Sequence, residues 1–443
     1  MSKPLLFSDH PPTPAETRAR FPDLHPALTP QAAIPEANRC LFCFDAPCTT
    51  ACPTHIDVPR FIHKIASGNV AGSARTILEA NILGGSCSRA CPVEVLCEGA
   101  CVLHHSGQQP IEIARLQRFA MDAHQSAGAP LPFTPAPASG HKVALIGAGP
   151  ASLACAAELR RHGIAATIYD ARPRPGGLNT YGIAEYKLPL AESLREIDLI
   201  PRLGVEFRFN TTIDAAQLEE LERTHDAIFL GIGLGAIHAL GIAGEQLPGV
   251  TNALDLIAGY KSGAVLTSPP RVAVIGAGNT AIDAAIASIR LGAEEVTMIY
   301  RRGPGQISAF AFEYEHAKRE GIRFLWHTQP AAILGTERVE ALALIRTTDD
   351  SSFHLPVDTI ILAIGQSTHS HVFADKVSTE RGRILIDRAT GQTSNPRYFS
   401  GGDCTNGGRE VVDAVADGKR AALGIAALLT GTRREANHAD IRM

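Results

Sequence analysis

The feature that most constrains the fold is a strand–glycine–helix unit that occurs twice. In the first copy the apolar run Lys142–Ile146 precedes Gly147-Ala-Gly149-Pro-Ala-Ser152, and in the second the run Arg271–Ile275 precedes Gly276-Ala-Gly278-Asn-Thr-Ala281. In both copies a further glycine, predicted to end the helix, lies 16 residues after the first one, and a second apolar run follows it. This long repeat predicts two βαβ units with parallel sheets rather than a short-period solenoid.

The glycines of such units have specific tasks. The first makes the tight turn, and the second lets the backbone approach a pyrophosphate, which then lies on the N–H groups at the start of the helix. One such motif also occurs in ordinary turns, but two copies, each between a strand and a helix and each with a small third residue, favour dinucleotide binding. The candidate binding residues are Gly147, Gly149, Pro150, Ala151 and Ser152 in the first copy and Ala277, Gly278, Asn279 and Thr280 in the second.

The second strands of the two copies end differently. The first ends at Asp170, 23 residues after Gly147, where a carboxylate accepts hydrogen bonds from a ribose hydroxyl. The second has Arg301 and Arg302 at the matching place, and two guanidinium groups attract a 2′-phosphate. The first copy therefore suits FAD and the second NADP(H). A solvated surface pair is the alternative for the two arginines.

Three further segments have glycine at or near the end of an apolar strand. The apolar strands Ala227–Gly231 and Thr359–Gly365 lie in the nucleotide-binding region, and Ala363 and Gly365 of the latter are candidate nucleotide contacts. Near the C-terminus, Phe399-Ser-Gly-Gly402-Asp403 is followed by a predicted helix at Val411–Gly418. Gly402 and Asp403 are placed to meet a flavin and its ribityl chain, whereas a helix N-cap is the plain alternative for Asp403.

Eight of the ten cysteines fall within 62 residues. Short C-x2-C and C-x3-C steps bring thiolates to one side of a turn or helix, and Cys-Pro is common in iron–sulfur loops. Zinc is the alternative, but zinc sites favour two C-x2-C pairs with one long gap. The clustered residues are Cys40, Cys43, Cys48, Cys52, Cys87, Cys91, Cys97 and Cys101. Cys155 and Cys404 are isolated in sequence and are predicted to be core residues. The absence of a C-x-x-C in the nucleotide region argues against a thioredoxin-reductase-like mechanism.

Periodicity and proline content divide the chain. Apolar residues at three- and four-residue intervals predict the helices Val58–Ala66, Ala71–Ala80 and Ile111–His124. The predicted organisation is an extended arm at 1–30, a helical cysteine domain at 31–125, a proline-rich linker at 126–140, a first nucleotide domain at 141–250 that resumes at 366–443, and a second nucleotide domain at 251–365.

Charge and composition exclude other classes. The net charge of −4 and the 5% aromatic content argue against nucleic acid or an anionic membrane as a partner. The N-terminus contains several prolines and does not resemble a secretory signal. The longest apolar stretch, Ala421–Leu429, is too short to cross a bilayer. A cytoplasmic location is expected, where thiols stay reduced and serve metal or redox chemistry.

With these motifs in place, the chain resembles the pyridine-nucleotide-accepting half of dihydropyrimidine dehydrogenase, a separate small subunit in bacteria and a relative of the glutamate synthase small subunit. The similarity runs from about Asn38 to Ile425 and is carried by Cys40–Cys48, Ile111–Phe119, Gly147–Ser152, Gly176–Leu178, Glu185–Pro189 and Gly401–Asp403. The spacing Cys91-x5-Cys97-x3-Cys101 follows the dihydropyrimidine dehydrogenase pattern, whereas glutamate synthase-like chains usually have C-x3-C-x3-C.

The resemblance implies an α/β fold with an all-α N-terminal domain: a helical double [4Fe–4S] domain, then two Rossmann-like domains, with the NAD(P) domain inserted into the FAD domain. It implies one cluster on Cys40, Cys43, Cys48 and Cys101 and another on Cys52, Cys91, Cys97 and Gln117. It leaves Cys87 as a spare thiol. From the residues alone, Gln117 reads as an exposed glutamine on a helix.

For the nucleotides, the resemblance implies FAD contacts at Asp170, Gly176, Gly177, Leu178, Lys187 and Asp403, and second-nucleotide contacts at 277–280, Arg301 and Arg302. The NADPH-specific eukaryotic members carry a further arginine six residues after the basic pair, where this chain has Ser308. Either NADP(H) or NAD(H) therefore remains a candidate.

The implied function is electron input. Hydride passes from NAD(P)H to FAD without a catalytic acid or base, and electrons pass through two clusters to a partner with FMN and iron–sulfur clusters that reduces uracil or thymine. At 443 residues the chain has room for the input half but not for a pyrimidine-binding barrel. Alternatives are a glutamate synthase small subunit, an NADPH:ferredoxin-type oxidoreductase, and a non-enzymatic scaffold that binds nucleotide and zinc.

Overall fold

The computed structural model describes residues 19–128, 131, 133–264 and 267–431. It divides into two compact units. The larger unit comprises His25–Thr180, Ala191–Leu234 and the described part of Thr368–Met443. The smaller unit comprises Tyr181–Leu190, Gly235–Ser367 and the described part of Met1–Leu24.

Helices and strands are numbered in chain order. The α-helices are α1 Pro30–Asn38, α2 Pro47–Thr50, α3 Val58–Ala66, α4 Val70–Ala80, α5 Gly84–Ala90, α6 Ile113–Ser126, α7 Pro150–Arg161, α8 Leu178–Tyr181, α9 Leu190–Ile197, α10 Leu199–Arg202, α11 Ala215–Thr224, α12 Ala253–Lys261, α13 Asn279–Arg290, α14 Ala311–Arg319, α15 Asp403–Asn406 and α16 Val411–Thr430. The strands are β1 Lys142–Ile146, β2 Ala165–Tyr169, β3 Glu206–Arg208, β4 Ala227–Leu230, β5 Val250–Asn252, β6 Arg271–Ile275, β7 Glu295–Ile299, β8 Arg323–Leu325, β9 Thr328–Leu334, β10 Ala341–Arg346, β11 Ser352–Pro356, β12 Thr359–Leu362, β13 Thr379–Glu380, β14 Arg383–Ile384 and β15 Tyr398–Ser400.

The larger unit begins with the short helices that carry the cysteines. Asp57 caps α3 by accepting a hydrogen bond from the nitrogen of Arg60, and Phe61, Ile62 and Ile65 form its buried face. The predicted bounds of α3 are confirmed. The predicted helix Ala71–Ala80 begins one residue earlier, at Val70, and the predicted Ile111–His124 is shifted to Ile113–Ser126, which is within the usual variation of helix ends.

A parallel sheet of order β15-β4-β1-β2-β3 forms the rest of the larger unit's core. Its central strands are buried almost throughout, because helices cover both faces of a parallel sheet. The last strand, β15, pairs with β4 although the whole second sheet lies between them in sequence. The expected insertion of one nucleotide-binding fold into another is therefore confirmed.

The smaller unit holds a second parallel sheet, of order β5-β12-β6-β7-β8, and an antiparallel sheet of order β11-β10-β9. The first of these confirms the repeated unit. The sequence places Arg301 and Arg302 at the end of the second-copy strand, but this strand, β7, ends at Ile299, so that both arginines lie in the loop that follows.

Some predictions fall on residues outside those described. These are residues 1–18 of the predicted arm, residues 129, 130 and 132 of the predicted linker, residues 265 and 266 of the predicted second nucleotide domain, and residues 432–443 of the second part of the flavin domain. Of the helices in the described ranges, none is both long and apolar enough to cross a membrane.

Candidate functional site

Four of the clustered cysteines surround one cavity in the larger unit. Cys40, Cys43, Cys48 and Cys101 line a small cavity beside the buried side chains of α3. Cys40 and Cys43 come from the turn between α1 and α2, Cys48 comes from α2 itself, and Cys101 comes from just before the 3₁₀ helix Val102–Ser106. Residues about 60 positions apart in sequence are thus brought together, in the grouping that the resemblance implied.

The remaining cysteines of the cluster line a second small cavity. Cys52, Cys91 and Cys97 line it together with Gln117 of α6. Gln117 is 7% exposed, and its Nε2 atom donates a 2.6 Å hydrogen bond to the carbonyl oxygen of Gly84. The residue-based expectation of an exposed glutamine is therefore wrong, because α6 packs this face against α4 and α5.

Cys87 also lines the second cavity. Its sulfur accepts a hydrogen bond from Nδ2 of Asn81 at 3.2 Å, and Asn81 is fully buried. Asn81 lies more than five residues from its nearest clustered cysteine in sequence, so no spacing pattern could have identified it. A spare role for Cys87 stays a prediction.

In both cavities, ionising several of the neighbouring thiols together is electrostatically unfavourable. Burial raises the pKa of the Cys48 thiol to about 12, and the neighbouring Cys40, Cys101 and Cys43 add to the increase. A hydrogen bond with Cys87, together with burial and the nearby thiols, raises the pKa of Cys91 well above its usual range. Thiolates in such a setting need a bound cation to be stable.

The cysteines around each cavity surround a space rather than a single point. Among the described residues, no group of three or more His, Cys, Asp or Glu side chains is arranged to hold one metal ion. The sulfurs instead line the walls of a larger space, as the ligands of a multi-iron group must. Cys52 and Cys101 are buried and the other proposed cysteine ligands are half-buried.

The first dinucleotide motif forms a tight turn between β1 and α7. Gly147 has φ +93°, and a Cβ there would lie 2.4 Å from the carbonyl oxygen of Gly231. Gly149 faces open space, and no side chain caps α7, which begins at Pro150 with Ala151 and Ser152 in its first turn. The backbone N–H groups at this helix start are therefore accessible to a phosphate group.

Other predicted flavin contacts converge on this turn. The nitrogen of Gly176 donates to the carbonyl of Ala148 at 2.8 Å, and a Cβ on Gly177 (φ +52°) would lie 2.9 Å from Cα of Gly149. Leu178 follows and is 37% exposed. Gly402 lies close to the same turn, since a Cβ there would lie 3.2 Å from Cβ of Ala151.

The two predicted carboxylates flank the same turn. Asp170 follows β2, and its Oδ2 and Oδ1 atoms accept hydrogen bonds from the nitrogens of Ala148 at 2.6 Å and Arg172 at 2.7 Å. Asp403 accepts from the nitrogen of Arg409 at 3.2 Å, while burial and the nearby Asp417 and Asp413 raise its pKa. Asp403 lies inside α15, whose N-cap is Gly402, so the N-cap alternative is not observed.

The second dinucleotide motif has the same geometry in the smaller unit. Gly276 has φ +129°, and a Cβ there would lie 2.3 Å from the carbonyl oxygen of Ala363, which places Ala363 at the turn. Gly278 begins α13, again without a side-chain cap, and Asn279 accepts a hydrogen bond from the nitrogen of Phe310 at 3.0 Å. Thr280 is exposed, Ala277 is buried, and Gly365 lies beyond β12 with φ +95°.

The basic pair lies beside this turn on the same unit. Arg301 and Arg302 are exposed, and neither guanidinium has a hydrogen bond or ion pair with a residue in the described ranges. Ser308 lies close to the glycine turn, because its Oγ atom is 3.5 Å from where a Cβ of Gly278 would be and donates to the carbonyl of Ala277. Two free cations and an open turn fit an anionic nucleotide.

Lys187, another predicted flavin contact, has protein partners of its own. Its ammonium lies 2.7 Å from Oδ1 of Asp283 and is also paired with Glu313, all within the smaller unit. Contact between Lys187 and FAD stays a prediction.

Two family comparisons cover most of the chain. The family described as dihydropyrimidine dehydrogenase domain II, 4Fe-4S cluster, matches residues 17–129, and the pyridine nucleotide-disulphide oxidoreductase family matches residues 141–418. The helical cysteine domain is therefore of the expected iron–sulfur type, and the Rossmann-like region is of the expected nucleotide-binding oxidoreductase type.

Curated relatives match over nearly their full length. A protein named NAD-dependent dihydropyrimidine dehydrogenase subunit PreT, from Salmonella typhimurium, is 35% identical over 91% of this chain and 96% of its own. The glutamate synthase [NADPH] small chain of Escherichia coli is 33% identical over 94% of this chain and 96% of its own. Both expected resemblances are confirmed.

Solved structures confirm the fold. Thioredoxin reductase of Lactococcus lactis matches with a TM-score of 0.55 and 21% identity over 66% of this chain and 100% of its own. A 2-naphthoyl-CoA reductase matches with a TM-score of 0.53 and 21% identity over 82% of this chain and 52% of its own. With its open glycine turns, its iron–sulfur-type domain and these relatives, the chain belongs to the pyridine nucleotide-disulphide oxidoreductase family and is an NAD(P)H-dependent oxidoreductase.

Proposed function

We propose that this chain is the electron-input subunit of a dihydropyrimidine dehydrogenase. It would accept hydride from NADPH or NADH at FAD and pass electrons singly through two [4Fe–4S] clusters. The partner, a subunit with FMN and iron–sulfur clusters, would reduce uracil or thymine to the dihydropyrimidine. The names of the PreT relatives and the spacing Cys91-x5-Cys97-x3-Cys101 support this proposal. A cytoplasmic location is part of it.

The observation that carries the proposal is the composition of the second cavity. Three cysteines and the buried amide of Gln117 line one space, and Gly84 accepts a hydrogen bond from Nε2 of Gln117. The remaining polar atom of that side chain, Oε1, is the one that can act as a ligand. A non-cysteine ligand at this position is what the resemblance to dihydropyrimidine dehydrogenase implies.

We assign the chain's residues to three tasks. Cys40, Cys43, Cys48 and Cys101 would hold one cluster, and Cys52, Cys91, Cys97 and Gln117 the other. The open turn at Gly149 would bind the pyrophosphate of FAD, and Asp170, whose oxygens each retain a lone pair, would accept from the ribose. The basic pair would bind the second nucleotide. No acid or base is needed, because bound FAD supplies hydride acceptance once the rings are aligned.

The glutamate synthase small chain is the second candidate, because that relative matches the chain over a similar extent. In that case the electrons would serve a partner that uses glutamine and 2-oxoglutarate. The cysteine spacing favours the first candidate.

The deciding experiment is an anaerobic affinity purification of the native complex. Its NAD(P)H oxidation is then measured with uracil, with thymine, and with glutamine plus 2-oxoglutarate. We expect uracil- and thymine-dependent oxidation by the complex, and only dye reduction by the chain alone. Oxidation that depends on glutamine plus 2-oxoglutarate would establish the second candidate instead. Zinc without acid-labile sulfide in the purified chain would indicate a scaffold.

A further inference from the structure

Glu196 is a buried carboxylate that binds the start of α5. Its side chain, on α9, accepts hydrogen bonds from the nitrogen of Gly85 at 2.5 Å, the nitrogen of Ser86 at 2.8 Å and the hydroxyl of Ser86 at 2.5 Å. The residue is 1% exposed. About 110 sequence positions separate it from α5, and both segments belong to the larger unit.

The hydrogen bonds around Glu196 match its ionised form. Burial raises the pKa of this carboxyl, while the hydrogen bonds from Ser86 and Gly85 and the charge of Arg89 oppose the increase. All three neighbouring groups donate, so the carboxylate acts only as an acceptor. No lysine, arginine or histidine of the described ranges forms an ion pair with it. The carboxylate instead lies at the end of α5 where backbone N–H groups lack helical partners.

α5 belongs to the wall of the second cavity. Cys87 lies in this helix and Cys91 is its C-cap, and both line the cavity. The carbonyl of Gly84, the first residue of α5, accepts the hydrogen bond from Gln117. Glu196 therefore contacts Gly85, the residue that follows Gly84 in sequence. Gly84 is the residue that orients Gln117 by accepting its hydrogen bond.

Space at this contact is restricted. A Cβ on Gly85 would lie 2.8 Å from Oε1 of Glu196, so the carboxylate and the backbone of α5 are in close contact. One helical turn earlier on α9, Glu192 accepts a hydrogen bond of 3.2 Å from Arg89, near the other end of α5. Arg89 also donates to Asp122 of α6, and this bond does not depend on α9.

We propose that Glu196 is a positioning residue of the second iron–sulfur site: it fixes α5, and through Gly84 the ligand Gln117, and its buried negative charge favours the oxidised cluster. This inference rests on one part of the proposed function, namely that the second cavity holds an iron–sulfur cluster. Second-shell contacts of this kind orient ligands and tune the metal group they hold. Charge and hydrogen bonding near iron–sulfur sulfurs set the reduction potential.

The test uses the full chain, purified anaerobically with its clusters, and compares E196Q with E192Q. E196Q removes the charge and replaces one acceptor oxygen with a donor that faces the N–H groups of α5. E192Q removes a charge from the same helix but leaves the backbone contact and the Arg89–Asp122 pair in place. The readouts are iron and sulfide content and redox titration followed by electron paramagnetic resonance, none of which requires a partner or pyrimidine.

We expect E196Q to change the signal of one cluster and to raise its reduced-to-oxidised ratio at fixed potential about tenfold, or about 59 mV for a one-electron couple. The other cluster should be unchanged, and E192Q should resemble the wild type. Unchanged signals in E196Q, or an equal change in E192Q, would overturn the role of Glu196. A lower melting temperature with unchanged signals would overturn it as well.

A less disruptive variant covers the case in which E196Q does not retain its clusters. S86A keeps the carboxylate and both backbone hydrogen bonds but removes the hydroxyl donor. It should shift the potential of the same cluster by a smaller amount and in the opposite direction, because the carboxylate keeps its charge and loses one donor that offsets it. Wild-type signals in S86A would contradict the inference. A wild-type chain that binds no iron would instead overturn the proposed function.

Discussion

The hydroxyl of Tyr186 donates a 2.6 Å hydrogen bond to Oδ1 of Asp283, the same oxygen that lies 2.7 Å from the ammonium of Lys187. Tyr186 is fully buried, and the side chains of Lys187 and Asp283 are 9% and 8% exposed. Removing one member of such a group leaves the others buried without compensation. We therefore expect D283N to lower the free energy of unfolding of the smaller unit by about 3 kcal/mol.

The measurement is urea denaturation followed by the fluorescence of Trp326, the single tryptophan, which lies in the smaller unit. E315Q is the control: Glu315 pairs with Lys318 on the surface of the same unit, so its loss should lower the stability much less than the loss of Asp283. The double variant D283N/K187M should recover part of the loss. Equal effects of D283N and E315Q would show that the buried group contributes no more than a surface pair.

A buried lysine in the smaller unit predicts a specific pH dependence. Lys261 is 1% exposed in its side chain and donates to the carbonyls of Ile183 and Leu188 at 2.8 Å each. Burial lowers its pKa from 10.5 to about 8, although Glu185 and Asp283 oppose the decrease. Between these two pH values the unfolded chain binds a proton that the folded chain does not, so this residue's contribution to stability rises with pH.

We expect the stability of the wild type relative to K261M to increase from pH 8 to pH 10.5, by about 3 kcal/mol in total for a shift of this size. Trp326 fluorescence in urea at each pH gives both values. The wild type and K261M share all other ionisable groups, so the contributions of those groups cancel in the difference between the two stabilities. A difference that stays constant or decreases over this range would contradict the pKa direction.

Much of the fold follows from local sequence. The strands β1 and β6 have the predicted bounds, because an apolar run that ends in a glycine turn is a local signal. The antiparallel strands β9 to β11 had no such signal. Their pairing is set by contacts between distant segments, and the register of β10 on β9 even shifts between Ala343 and Leu344.

The candidate site was less accessible to sequence reasoning. Cys87 in α5 and Cys91 at its C-cap are four residues apart and line the same cavity, so spacing alone cannot separate a ligand from a spare thiol. Gln117 is buried because its helix packs on α4 and α5, which its own periodicity does not reveal. Glu196 reaches α5 from a segment about 110 positions away.

The basic pair predicts the nucleotide preference. Arg301 and Arg302 are exposed beside the second glycine turn, and each charge-assisted hydrogen bond to a 2′-phosphate is worth about 1.5–3 kcal/mol. R301Q should therefore weaken NADPH binding about 10- to 100-fold, because 1.4 kcal/mol corresponds to a factor of ten. Binding of NADH should change little.

Dissociation constants for 2′,5′-ADP and AMP, measured by calorimetry, test this directly. S308R offers the opposite change, since Ser308 lies at the same turn. S308R should lower the dissociation constant for 2′,5′-ADP but leave that for AMP unchanged. Equal weakening of both ligands in R301Q would show that the arginine supports the loop rather than the phosphate.

The assignment of ligands predicts how iron content divides between the two cavities. C97S removes a sulfur that lines the second cavity only, so about half of the iron and acid-labile sulfide should be lost while the other cluster's signal remains. C87S is the matched control, because it changes a thiol of the same cavity that we assign as spare, and it should keep the full content. Loss of iron in C87S with retention in Q117A would make Cys87 the fourth ligand in place of Gln117.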